Sequence, residues 1–146
     1  MSKPFPQPID SVQMPRFGAI ATFMRLPVAS DPSELDIALV GVPWDGGTTN
    51  RAGARHGPRE VRNQSSLMRL VNQATGINPY ENLRVRDVGD AWVEQPYELS
   101  GALNEIAAFY TEIGKAGVIP VSCGGDHSVT LPILRGIAKK IGRAHV

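Results

Sequence analysis

From Asp36 to Val42 the chain reads Asp-Ile-Ala-Leu-Val-Gly-Val, an almost unbroken apolar run that stops at Pro43. A strand this apolar has no face to give to water and must be covered on both sides, as in a parallel sheet. The pattern returns at Val118 to Ser122, which is short, apolar and partly β-branched. Each run is followed by a glycine-rich turn and then by helix signals. After the first, Pro58 suits an opening helical turn and predicts a helix to about Met68. After the second, a helix is expected from Thr130 to about Lys140, with Pro132 tolerated only in its first turn and Gly142 ending it. Between them, Leu83 to Val88 alternates as a strand with Leu83, Val85 and Asp87 on one side, and Gly89 closes it. Pro96 opens the clearest helix, with Leu99, Leu103, Ile106, Ala107, Tyr110 and Ile113 at spacings of three and four and a stop at Gly117. Ala144-His145-Val146 resembles the start of a further strand. This alternation implies parallel strands joined by right-handed crossovers, an α/β fold of three α/β/α layers with a mainly parallel sheet.

Length and composition narrow the reading further. The 146 residues suit one domain, and 42% hydrophobic with 20% charged residues allows an ordinary core. A net charge of +1 gives no field that would gather nucleic acid or an anionic membrane. No apolar run approaches the roughly 20 residues needed to span a bilayer, and the N-terminus lacks signal-peptide blocks. The single cysteine, Cys123, cannot form an intrachain disulfide and fits a reducing compartment, so a cytoplasmic location is expected. Pro4, Pro6, Pro8 and Pro15 keep the first stretch out of helix. Residues 1–33 therefore read as an N-terminal arm whose Phe17, Ile20, Phe23, Met24 and Leu26 pack onto a neighbouring surface. Residues 34–146 read as a single α/β unit that stops where its next strand would begin, as expected of a fragment.

In open parallel sheets, ligands gather beyond the carboxyl ends of the strands. Two stretches leave strand ends here, Gly41 to Pro58 and Gly124-Gly125-Asp126-His127-Ser128. The first has neither the glycine spacing of a dinucleotide fingerprint nor a P-loop lysine. Alone it reads as a structural loop, with Asp45 bonding backbone N–H groups and Arg51 and Arg55 pairing with carboxylates. Trp44 either lines the crevice or covers the first strand end. In the second stretch His127 follows two glycines and sits beside Asp126, a pairing that could serve a metal such as manganese. A lone loop histidine is more commonly a capping or hydrogen-bonded group. His56 and His145 are given no ligand role, and Cys123 reads as a small packed hydrophobe rather than a nucleophile.

With Gly-Val-Pro-Trp-Asp-Gly-Gly, Arg-Ala-Gly-Ala-Arg-His-Gly-Pro-Arg-Glu-Val-Arg and Gly-Gly-Asp-His-Ser in this order, the chain resembles the ureohydrolases, the family of arginase, agmatinase and the guanidino-acid amidinohydrolases. The resemblance runs from about Met14 to the last residue and implies that residues 34–146 are the N-terminal half of a single α/β ureohydrolase domain. Pro15 to Pro27 in the arm and Ala52, where agmatinases often have proline, look more like the guanidino-acid branch, and Trp44 through Asn63 looks most like its guanidinopropionase members. The resemblance implies two Mn²⁺ ions per subunit, with Ni²⁺ possible, and makes His127 a metal ligand and Asp126 its supporting carboxylate. It also implies hydrolysis of a small guanidino compound, 3-guanidinopropionate by preference, to urea and an amine. The substrate alternatives are 4-guanidinobutyrate and agmatine; a homo-oligomer, a hexamer, is expected. A guanidinium is resonance-stabilised and permanently charged, so water needs activation, and two cations about 3.5–4 Å apart supply it. The family's other ligands come from Asp-Ala-His-x-Asp and Ser-x-Asp-x-Asp-x-x-Asp-Pro motifs, and neither occurs in these 146 residues. The isolated chain is therefore expected to be inactive. A competing expectation is a truncated, non-catalytic subunit that binds a full-length partner.

Overall fold

The computed structural model describes residues 5–141. Three parallel strands, β1 (Ile37–Val42), β2 (Val85–Asp90) and β3 (Ile119–Gly124), form a sheet in the order β2-β1-β3. Three α-helices accompany them: α1 (Gly57–Gln64), α2 (Leu99–Ala116) and α3 (Thr130–Ile141). The expected further strand at Ala144 to Val146 lies outside the described residues.

The central strand β1 is covered on both sides, as its composition requires. Ala38, Val40 and Val42 face one core with Ala102, Ile106, Tyr110 and Ile113 of α2 and with Val129. Leu39 faces the other, with Phe23 and Leu26 of the arm, Tyr80 and Val85. Helices α2 and α3 pack together on the first side. Their approach is close enough that a Cβ on Gly136 would lie 2.6 Å from the Ala107 carbonyl oxygen. Helix α1 lies on the second side, where buried Pro58 sits over Gly41.

Several boundaries differ from the expectation, each for a local reason. Helix α2 begins at Leu99 rather than Pro96, because Glu98 is extended and its carboxylate caps the N–H groups of Ser100 and Gly101. Its buried stripe accordingly holds Ala102, Ile106, Tyr110 and Ile113, and Leu99 is exposed. Gly117 ends it in the left-handed conformation with φ 78°. Helix α1 stops at Gln64 and tightens into a 3₁₀ turn, Ser65–Leu67, before Met68 turns extended. Gly89 does not close β2. It takes φ 83° at a shift in pairing between Leu39 and Gly41, and the strand continues to Asp90. Strand β3, expected to be buried, leaves Ile119 64% and Val121 51% exposed, because it lies at the sheet edge beyond the reach of the arm.

The arm divides in two. Phe17 and Ile20 are exposed, whereas Phe23 and Leu26 are buried against the sheet. Asp87 ties it down. Its buried carboxylate accepts from the Phe23 N–H at 2.9 Å and from Arg62 Nε at 2.8 Å, while the Arg62 guanidinium lies 4.2 Å from the Phe23 ring centroid. Val28 extends the β2 edge by a bridge to Asp87. No helix among the described residues is long and apolar enough to cross a membrane.

Candidate metal-ligand loop at the strand tips

The two glycine-rich stretches leave the adjacent carboxyl ends of β1 and β3 and lock into each other. Gly125 passes so near the first stretch that a Cβ there would lie 1.5 Å from the Trp44 carbonyl oxygen. That carbonyl accepts the Asp126 N–H at 2.9 Å. The Asp126 carboxylate completes the junction. One oxygen accepts from the Gly47 N–H at 2.8 Å and the Thr48 hydroxyl at 3.1 Å, and the other from the N–H and hydroxyl of Ser128. One side chain thus caps the 3₁₀ turn His127–Val129 and fastens the neighbouring loop to it.

His127 opens that turn and is exposed. It lies in a cleft of about 400 Å³ with Ser122, Asp126, Thr130 and Ile133. Its Nδ1 is 3.0 Å from the Thr130 hydroxyl. The ring is therefore presented to solvent at a strand tip, not turned into the aliphatic core. Asp126 acts on the loops around the ring, and the group hydrogen-bonded to the ring itself is Thr130. Sequence reasoning passed over Thr130; the signal was a hydroxyl three residues after the histidine, one turn further along.

The Gly41–Pro58 stretch is held from within. Asp45 is 2% exposed, accepts the Gly53 N–H at 2.7 Å and the Arg55 N–H at 3.2 Å, and pairs with the Arg55 guanidinium. The Arg55 hydrogen bond holds the Asp45 carboxyl at about 2, against the opposing effect of burial. Arg51 is exposed. Trp44 covers the strand end: it is buried in the α2-side core, with its ring against Gly46. His56 is exposed in a 3₁₀ turn, and His145 lies outside the described residues. Burial pushes the Cys123 thiol up, and Arg62 only partly opposes it, so no thiolate is favoured there. A larger cleft, about 570 Å³, lies at the opposite, amino ends of β1 and β2, where Asp36 and Arg84 are paired.

Among the described residues, no three His, Cys, Asp or Glu side chains gather closely enough to hold an ion. The exposed His127 imidazole fits one ligand position of a metal centre and not a complete one. Residues 35–146 match the family model of the arginase family. The chain belongs to the arginase family. Within it, the chain falls in the agmatinase and guanidinopropionase branch. It is 55% identical to the guanidinopropionase of Pseudomonas aeruginosa, over 99% of this chain and 46% of that relative. It is 47% identical to the guanidinobutyrase of the same organism, over 98% of this chain and 46% of the relative. Among solved structures, the proclavaminate amidino hydrolase of Streptomyces clavuligerus superposes with a TM-score of 0.79 at 34% identity, covering 86% of this chain and 42% of that one. The chain thus spans less than half the length of the arginase-family relatives it matches.

Proposed function

We propose that this chain forms the N-terminal part of a metal-dependent amidinohydrolase that cleaves a small guanidino acid, 3-guanidinopropionate by preference, to urea and an amine. The observation that carries the reading is the Gly-Gly-Asp-His-Ser loop, which presents the His127 imidazole to solvent at the tip of β3 in a chain 55% identical to a guanidinopropionase. In this reading His127 holds one ligand position of a centre of two Mn²⁺ ions, with Ni²⁺ as an alternative. When bound, such a centre would lower the pKa of a water enough for it to lose a proton and serve as the nucleophile toward a guanidinium carbon near neutral pH.

The chain's own residues do the positioning. Asp126 fixes the turn that carries His127 and holds Gly47 and Thr48 against it, so that turn and the first loop are fastened to each other. Thr130 restrains rotation of the ring through Nδ1. The start of the arginase match at residue 35 supports a division into an arm, 1–33, and a hydrolase domain beginning at 34. A cytoplasmic homo-oligomer, a hexamer by family resemblance, completes the proposal. The 146 residues alone, which offer one ligand, hydrolyse nothing on this account.

The similarity to a guanidinobutyrase keeps 4-guanidinobutyrate as the alternative substrate. Urea release by the intact protein with manganese, compared across 3-guanidinopropionate, 4-guanidinobutyrate and agmatine, tests the choice. The highest kcat/KM is expected for 3-guanidinopropionate. A preference for agmatine would place the protein elsewhere in the family.

A further inference from the structure

The outer turn of the arm holds apolar side chains out in water. Phe17 is 95% and Ile20 86% exposed, with Val12 at 90% just before them. The turn is fixed rather than frayed. The Gly18 N–H donates to the Pro15 carbonyl at 2.9 Å, Arg16 Nη1 donates to the Leu67 carbonyl at 3.3 Å, and Ala19 takes a left-handed φ of 70°. The expectation that Phe17 and Ile20 pack onto a neighbouring surface is therefore not met within the described residues. Beside the turn lies a groove of about 560 Å³ lined by Ile9, Met24, Met68, Leu70 and Val71. A smaller hollow lined by Phe17 and Ile20 shares Ile9 and Arg16 with it, so projection and groove are neighbours on one face. Asp10 and Arg69, both exposed, put opposite charges in the same groove. Contiguous exposed apolar surface with a charged rim is the composition of a protein contact.

We infer that a second copy of the chain covers this face by a two-fold contact, each copy's Phe17 entering the other's groove. A projection and a groove side by side satisfy each other under a two-fold rotation, and the contact closes on itself. In that contact Asp10 of one copy faces Arg69 of the other, which fixes the orientation by charge. The rest of the same fold points elsewhere. Val28 already bridges Asp87 along the β2 edge, so among the described residues the strand edge left open is that of β3, across the sheet. Helix α3, the last described element, packs against α2 in the layer opposite the arm. The inference gives a surface to the homo-oligomer proposed above and does not rest on the hydrolase reading; its test reads association, not urea release.

In the intact protein, sedimentation velocity across a concentration series compares the wild type with Phe17→Glu, with Asp10→Arg, and with the double variant Asp10→Arg and Arg69→Asp. Phe17→Glu is expected to raise the dissociation constant of the two-fold contact about thirtyfold or more, as loss of a central aromatic anchor does. Asp10→Arg is expected to weaken the contact and the double variant to recover it. A photoreactive benzophenone side chain in place of Phe17 is then irradiated in a mixture of unlabelled and heavy-isotope-labelled protein. It is expected to join the two kinds of chain within residues 68–71. A monomeric wild type, or association of Phe17→Glu equal to that of the wild type, overturns the contact. So do crosslinks confined to single chains, which together with a lower thermal midpoint at unchanged mass would assign Phe17 to an internal partner.

Discussion

At the scale of single residues, Asp126 carries more of the strand-tip geometry than His127 does. Both its oxygens accept, one from the first loop and one from the turn that opens α3. Asp126→Asn keeps one carbonyl oxygen for the Ser128 N–H and turns an amide donor toward the donors Gly47 N–H and Thr48 hydroxyl. A cost of about 1–3 kcal/mol is expected in denaturant unfolding, with Thr48→Ala costing less. An Asp126→Asn protein as stable as the wild type would contradict the junction. Asp45 behaves differently, as its value falls from the ordinary 3.8 to about 2 through Arg55. A lowered folded-state value means that its contribution is complete above about pH 4 and is lost as pH falls toward 2. Protection of the Gly53 and Arg55 amides from hydrogen exchange is therefore expected to hold down to about pH 4 and to be lost progressively as pH falls from there toward 2. Loss of protection near pH 6 would show that another group controls the loop.

Among the elements, the α2–α3 pair is the one packed with least slack. Gly136→Ala would set a Cβ 2.6 Å from the Ala107 carbonyl oxygen and from Tyr110 Cβ, and backbone cannot yield as a side chain can. A loss of about 1–3 kcal/mol is expected by thermal or denaturant unfolding, and an unchanged stability would refute that spacing. The strands were legible because a continuous apolar run has few other uses, and β1 is covered on both faces as its residues demand. Other features depended on partners far away in the chain. The Arg62–Asp87 pair joins residues 25 apart, and no local periodicity announces it. The cap at Glu98 was hidden because Pro96 offered a competing helix start. The exposure of Val121 was hidden because a run of apolar residues does not say which layer will reach it. At the candidate site, His127 and Asp126 were legible from two glycines and a family pattern, but the ring's neighbour Thr130 and the staple to Thr48 required coordinates.

For the whole molecule, the sheet, its two covering layers and the interlocked loops position one imidazole at the carboxyl ends of the strands, where parallel sheets place ligands. The chain spans less than half of the guanidinopropionase and of the guanidinobutyrase it matches, so the proposed centre depends on donors beyond those described. The most direct test is the manganese content of the intact protein after equilibration and desalting, wild type against His127→Ala, with circular dichroism to confirm an unchanged fold. Two ions per subunit in the wild type, and a clear loss of bound manganese together with urea release in the folded variant, is the predicted result. A folded His127→Ala protein that keeps both its manganese and its urea release would contradict the account.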